Sequence, residues 1–297
     1  MCSTCGCGDD GGTRVSTLLG TPVVHDHGHA AGADHVHDHP HDGGHDHGHD
    51  HPHTHAGPAE DGHGTPATIT LEQKVLAKND LLAARNRGWL EGRGIRALNV
   101  MSSPGAGKTT LLVRTIRDLG DRLTIGVVEG DQETSLDADR IRATGRKVIQ
   151  INTGSGCHLD ADMLQRGLTA LDPEMGSTVF IENVGNLVCP ALFDLGEAAK
   201  VVVISVPEGD DKPQKYPHMF MAADLVIVNK SDLLPYVEFD VEKCRRQARR
   251  LNPGVEFLTV SATTGEGLAG WYDWILKDPG SSTAHGAATT QPLRVRA

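Results

Sequence analysis

The sequence predicts an α/β fold: a mostly parallel sheet flanked by helices, preceded by a long polar tract. Three observations carry this prediction. Short apolar runs at residues 97–101, 124–128, 148–151, 179–181, 225–228 and 257–260 alternate with helix-like segments, the pattern of parallel crossover units. The first run leads into Ser102-Ser103-Pro104-Gly105-Ala106-Gly107-Lys108-Thr109-Thr110 and then into a helical pattern at Leu111, Leu112, Ile116 and Leu119. Ahead of all this, fourteen of the 17 histidines lie between His25 and His63, interleaved with Asp, Gly and Pro. A tract with almost no apolar side chains cannot offset its ordering entropy, so it is expected to be disordered.

The order of strand, glycine-rich loop and helix makes residues 102–110 a phosphate-binding loop, and the fold that of a P-loop NTPase. Gly105, Ala106 and Gly107 let backbone N–H groups close around phosphate oxygens. Lys108 can reach the outer phosphates, and Thr109 can ligate Mg²⁺, with Thr110 beside it. The helix that follows presents its positive end to the anion. Ser102 stands where the pattern usually has its first glycine; serine is small enough to preserve the loop.

The run at 225–228 leads into Asn229-Lys230-Ser231-Asp232. In a doubly wound sheet, ligands bind beyond the carboxyl ends of strands. Asp232 there can accept from the N1 and N2 groups of guanine, which adenine does not offer. Lys230 is expected along the base and the phosphate loop. After the run at 257–260 comes Ser261-Ala262-Thr263, similar to the Ser-Ala-Lys loop of GTPases whose backbone supports the base, although its third residue differs. The nucleotide expected is GTP.

Two carboxylates compete for the Mg²⁺ role. Glu182-Asn183-Val184-Gly185 follows the run at 179–181 and resembles the Asp-x-x-Gly element of GTPases, with Glu for Asp. Its carboxylate could hold Mg²⁺, and the Gly185 amide could sense the γ-phosphate. Asp131, after the run at 124–128, is the second candidate, and hard oxygen ligands suit Mg²⁺. Either acid could instead cap a helix. Lys108, Thr109, Asp131 and Glu182 are therefore the candidate catalytic groups. Hydrolysis on such a site rests on positioning and electrostatics.

Soft-metal chemistry appears twice. Cys2, Cys5 and Cys7 form Cys-x-x-Cys-Gly-Cys, three closely spaced thiolates that can wrap one borderline or soft cation. A redox role is the weaker alternative, because no thioredoxin-like strand precedes the motif. The neutral imidazoles of the histidine tract suit nickel, copper and zinc. Within the globular region, Cys157-His158 follows a Gly154-Ser155-Gly156 turn, and Cys189 lies four residues after Gly185. Spacing alone leaves these three open between a metal site and ordinary small, buried apolar positions.

Together these residues resemble the hydrogenase nickel-incorporation GTPases, the HypB family. The resemblance rests on Cys2-x-x-Cys5-Gly-Cys7, residues 102–110, Glu129-Gly130-Asp131, Gly156-Cys157-His158, residues 182–190 and residues 229–232. It implies a slow GTPase that acts as a nickel chaperone in [NiFe]-hydrogenase maturation. It further implies a nickel site at Cys2, Cys5 and Cys7, a nickel or zinc site at Cys157, His158 and Cys189, and nickel storage by the histidine tract. The implied partners are a HypA-type metallochaperone, the hydrogenase large subunit and a second copy of the chain in a GTP-promoted homodimer. A urease accessory type of GTPase is the alternative, as is a protein devoted mainly to nickel storage.

Composition bounds the rest. The 297 residues divide into a cysteine motif at 1–8, a histidine-rich tract at 9–66, the GTPase domain at 67–278 and a loose tail at 279–297. The net charge of −11 argues against a nucleic-acid partner. No apolar stretch approaches the roughly 18 residues needed to cross a bilayer. Without a secretory signal, the expected location is the cytoplasm. Thr70 and Gln73 offer a capping box for a first helix, with Leu71, Val75, Leu82 and Leu90 toward a core or a partner. A last helix at 268–277 brings Trp271, Trp274 and Ile275 into the core.

Overall fold

A computed structural model describes residues 14–16, 66–132, 136–154 and 156–277, with side chains from residue 73 onward. The cysteine motif at 1–8, the histidines of the tract and the C-terminal tail lie outside the described residues.

One eight-stranded sheet runs through the domain. Its strands are β1 (Arg14–Ser16), β2 (Arg96–Ser102), β3 (Ile125–Asp131), β4 (Lys147–Asn152), β5 (Thr178–Gly185), β6 (Ala199–Ser205), β7 (Leu225–Asn229) and β8 (Glu256–Thr259). Their spatial order is β1-β4-β3-β5-β2-β6-β7-β8. All pairings are parallel except β1 on β4, which is antiparallel. The tract reading included Arg14–Ser16 in its unpacked segment; these three residues instead add an edge strand.

The apolar strand runs alternate between two faces, and that alternation builds two helical layers. Leu98, Val100, Val127, Phe180, Val201, Val203 and Ile227 face helices α2 (Lys108–Leu119), α3 (Leu136–Arg142) and α8 (Leu268–Leu276). On the other face, Val128, Ile151, Val179 and Ile181 meet α1 (Pro66–Gly92) and α4 (Ala161–Leu171). Val202, Ile204, Val226 and Val228 there meet α6 (Pro217–Ala222) and α7 (Val241–Leu251), which follow the short α5 (Lys212–Lys215). Runs apolar on both faces are what a covered parallel sheet requires. The final helix behaves as expected: Trp271 and Trp274 stack at 5.6 Å, and Trp271 donates to Thr115 Oγ1 of α2 at 2.8 Å. Among the described residues, no helix is long and apolar enough to cross a membrane.

The first helix departs from the sequence reading. It opens at Pro66, so Thr70 is not its cap; proline is favoured in a first helical turn, where its missing N–H has no partner to lose. Its inner stripe is Asn79, Ala83, Asn86 and Leu90, all buried, whereas Val75 is half exposed. Apolar spacing misplaced the stripe because two of the residues pointing inward are amides.

Candidate nucleotide and metal site

The phosphate loop leaves β2 and enters α2, as the motif requires. Gly105 and Gly107 both have positive φ, at 74° and 90°, a conformation that glycine adopts freely. A Cβ on Gly107 would lie 2.6 Å from Asn229 Nδ2, so a neighbouring side chain as well as φ demands glycine. Ser102 is buried and its hydroxyl donates to the Ser103 carbonyl. Arg140 of α3 reaches across to donate to Thr110 Oγ1 at 2.9 Å.

Glu182 and Asp131 both lie inside strands rather than beyond them: Glu182 four residues into β5, Asp131 at the end of β3. Glu182 is buried, and its Oε1 accepts from Thr109 Oγ1 at 2.6 Å and from Lys108 Nζ at 3.1 Å. Gly185 packs its backbone against the loop, where a Cβ would meet Pro104 Cα at 3.2 Å. A third carboxylate, Glu129, pairs in register with Glu182 on the neighbouring strand and is also buried. Among the described residues, the second oxygens of Glu129 and Glu182 have no hydrogen-bond partner. Such paired acids, with Thr109 beside them, suit a hard cation.

Burial first, then Glu182 and Asp131, push the Glu129 carboxyl from its ordinary 4.5 up to about 8, against the pull of Lys108. The folded chain therefore holds this proton more tightly than the unfolded chain, and its stability falls as pH rises between those values. Glu129→Gln removes the penalty. In Mg²⁺-free buffer, calorimetry is expected to show a higher Tm than the parent at pH 8, with the two converging as the pH falls below the ordinary value of 4.5. The gain should be about 2–4 °C per kcal/mol recovered.

The segment at residues 229–232 closes over the loop. Asn229 ends β7, donates through Nδ2 to Ala106 O at 2.9 Å and accepts from Ala262 N at 3.1 Å. One amide thus joins the phosphate loop to the Ser261-Ala262 loop. Lys230, with positive φ of 61°, donates from Nζ to Gly105 O at 2.7 Å. Asp232 accepts from Ser261 Oγ at 2.5 Å.

Cys157, His158 and Cys189, separated in sequence, converge. One ligand atom from each lies within 4.8 Å of the others, and all three residues are half-buried. Cys157 Sγ stands 3.7 Å from His158 Nδ1. The His158 ring lies 4.0 Å from that of Phe193, and burial holds its imidazole below the usual value, which keeps it in the neutral form that binds metals. Cys157 and His158 follow β4, while Cys189 opens a short helical turn after β5. Thiolates with an imidazole suit nickel or zinc rather than Mg²⁺.

Several contacts at the site had no sequence signal, although Asn183 and Asn186 fall within the motif at 182–190. Asn183, beside Glu182 on β5, accepts from Leu159 N at 3.1 Å. Asn186 donates to Cys157 O at 3.3 Å. Glu208 accepts from the Ser103 hydroxyl of the phosphate loop. These contacts join segments far apart in the chain, where periodicity and motif spacing carry no information.

Comparison with known proteins agrees with this geometry. Residues 96–259 match the family described as CobW/HypB/UreG, nucleotide-binding domain. Hydrogenase maturation factor HypB of Rhizobium leguminosarum bv. viciae is 55% identical over 291 residues, covering 93% of this chain and 95% of the relative. The hydrogenase/urease maturation factor HypB of Helicobacter pylori J99 is 41% identical over 213 residues, covering 70% of this chain and 87% of the relative. The crystal structure of Helicobacter pylori HypB in complex with nickel is 41% identical, with a TM-score of 0.63, covering 67% of this chain and 94% of that one. The chain belongs to the HypB family of hydrogenase maturation factors, with a nucleotide-binding domain of the CobW/HypB/UreG type.

Proposed function

We propose that the protein is a GTP-hydrolysing nickel metallochaperone for [NiFe]-hydrogenase maturation, in which nucleotide state gates a nickel site at Cys157, His158 and Cys189. The observation that carries this reading is the path of β5: the strand bears Glu182 at the phosphate loop and runs directly into the turn that bears Cys189. Residues 105–110 cradle the phosphates and Lys108 binds their outer oxygens. Asn229 and Lys230 brace the loop, Asp232 reads the guanine, and Ser261 and Ala262 support it. Thr109, Glu182 and Asp131 would hold Mg²⁺, which supplies charge neutralisation to the phosphates when bound. Gly185 senses the γ-phosphate. Lys108 shares Glu182 with Thr109 in this conformation, so nucleotide entry redistributes those contacts at the base of β5.

Nickel is the cargo. Cys2, Cys5 and Cys7 form a first site, the histidine tract stores nickel, and zinc competes for the internal site. A HypA-type metallochaperone, the hydrogenase large subunit and a GTP-promoted homodimer complete the path in the cytoplasm. Reciprocal linkage requires that if GTP alters nickel affinity, nickel alters GTP affinity by the same factor.

The test uses the full chain carrying Cys2→Ser, Cys5→Ser and Cys7→Ser. Sulfur-to-nickel charge-transfer absorption then reports the internal thiolates without signal from the histidine tract. Nickel titrations with GDP and with a non-hydrolysable GTP analogue are expected to give different affinities, and Cys189→Ala to abolish the band. Equal affinities with the two nucleotides would remove the gate. The double hydrogenase/urease name of a relative favours a second reading, in which urease is also served. A deletion strain that loses hydrogenase but keeps urease activity rejects it.

A further inference from the structure

Both loops that carry the metal-binding side chains are held from one side by α1. Asn86 is buried, and its single amide donates to Ala161 O at 2.8 Å and to Leu195 O at 3.0 Å. Ala161 lies three residues beyond His158, and Leu195 six beyond Cys189. Two turns earlier on the same face, Asn79 repeats the bridge. It accepts from Ala161 N at 2.9 Å and donates to Asp194 O at 2.8 Å. Arg87 adds a bidentate contact to the Asp194 carboxylate, at 2.7 Å to each oxygen.

The loop after Cys189 also meets α1 backbone against backbone. Gly196 has a φ of 87°, and a Cβ there would lie 2.4 Å from Ala83 O and 2.7 Å from Arg87 N. Phe193, inside the same loop, packs on the His158 ring. A second buried chain ties the two loops from within the sheet. Asn183 accepts from Leu159 N and donates to Asn99; Asn99 donates to Glu197 Oε1, and Glu197 Oε2 accepts from Leu195 N. The segments after His158 and after Cys189 are thus fastened to common partners on both flanks.

We propose that Asn86, supported by Asn79 and Arg87, is a positioning residue for metal capture, fixing the Cys157-His158 turn at ligand distance from the Cys189 turn. This rests on the internal metal-site reading above. Buried amides fit the task because the loops present backbone groups that a leucine at the same position would leave unpaired. Hydrogen bonds behind metal ligands set their orientation, and removing one typically costs about 10–100-fold in metal affinity. Displacing α1 therefore changes nickel affinity with the nucleotide site left alone.

The experiment takes the full chain with Cys2→Ser, Cys5→Ser and Cys7→Ser as parent and follows the sulfur-to-nickel band with Ni²⁺ alone. Nickel competition from the histidine tract is the same in every variant. Asn86→Leu is expected to weaken nickel binding about tenfold or more and to alter the band, with GDP affinity within about twofold of the parent. Arg87→Ala breaks a half-exposed pair, leaves the folded core intact and is expected to weaken nickel binding by a smaller factor. Ile275→Ala, a core truncation in α8 far from these loops, serves as the control for lost stability. Unchanged nickel affinity in both α1 variants overturns the proposal, as does an equal loss in Ile275→Ala. A parent with no band at all overturns the metal-site reading itself, an outcome distinct from a band that ignores Asn86.

Discussion

Glu182→Gln is expected to lower GTP turnover at saturating GTP and Mg²⁺ by about 10²–10³, the loss typical when one preorganised charge-stabilising group is removed. The substitution is nearly isosteric. An amide oxygen can still accept from Thr109 Oγ1 and Lys108 Nζ, which now meet Glu182 Oε1 at 2.6 and 3.1 Å. Packing therefore survives while the negative charge is lost. That charge balances Lys108, and on the proposed reading it also offers a hard ligand to a cation beside Thr109. GDP affinity should stay within a few fold, because the glycines and residues 229–232 are untouched. Phosphate release and GDP titration separate the two effects. Parental turnover in Glu182→Gln would move the cation to Asp131 and leave Glu182 as a structural partner of Lys108.

Asp232→Asn is expected to weaken guanine nucleotides on the order of a hundredfold, since each of two hydrogen bonds to a charged acceptor contributes about 1.5–3 kcal/mol. The asparagine amide faces the purine N2 group donor to donor, so part of the loss is an unpaired polar contact rather than a missing attraction. The sign reverses for xanthosine diphosphate, whose C2 carbonyl can accept from the new amide. Its affinity should rise as that of GDP falls. Asp232 is held by Ser261 Oγ at 2.5 Å, and an asparagine oxygen can keep this bond, so the loop should retain its shape. Titration with fluorescent analogues of both nucleotides checks the exchange. Equal affinity for GDP in parent and variant would show that Asp232 does not read the base.

The nucleotide half of the site was legible because its chemistry is contiguous. A glycine-rich loop must follow a strand and open a helix, so Gly105 to Thr110 announce their own geometry; β2 lies within a residue of the run at 97–101, and α2 carries the expected pattern from Leu111 to Leu119 but opens already at Lys108. Asn229 to Asp232 are likewise local to one strand end. The two tryptophans of α8 declared themselves core by size and spacing, and they stack inside it.

The metal half was only partly legible. Cys157 and His158 are adjacent in sequence, but Cys189 lies 32 positions from Cys157, and no spacing rule fixes a distance across two loops. The fold fixes it: β4 and β5 run parallel with only β3 between them, so the turns that follow them emerge at the same edge. Apolar periodicity also misjudged α1. It records which side chains leave water, whereas Asn79 and Asn86 are buried because loop backbone groups there need partners. The sequence by itself determined the α/β class, the phosphate loop and the place of residues 229–232 at a strand end, since those depend on neighbouring residues and local backbone conformation. Only the tertiary structure decided the Glu129–Glu182 pairing, the convergence of two cysteines with His158 and the amide bridges beneath them. Buried polar contacts are settled by which distant backbone groups would otherwise be left unsatisfied, and that is a property of the packed chain.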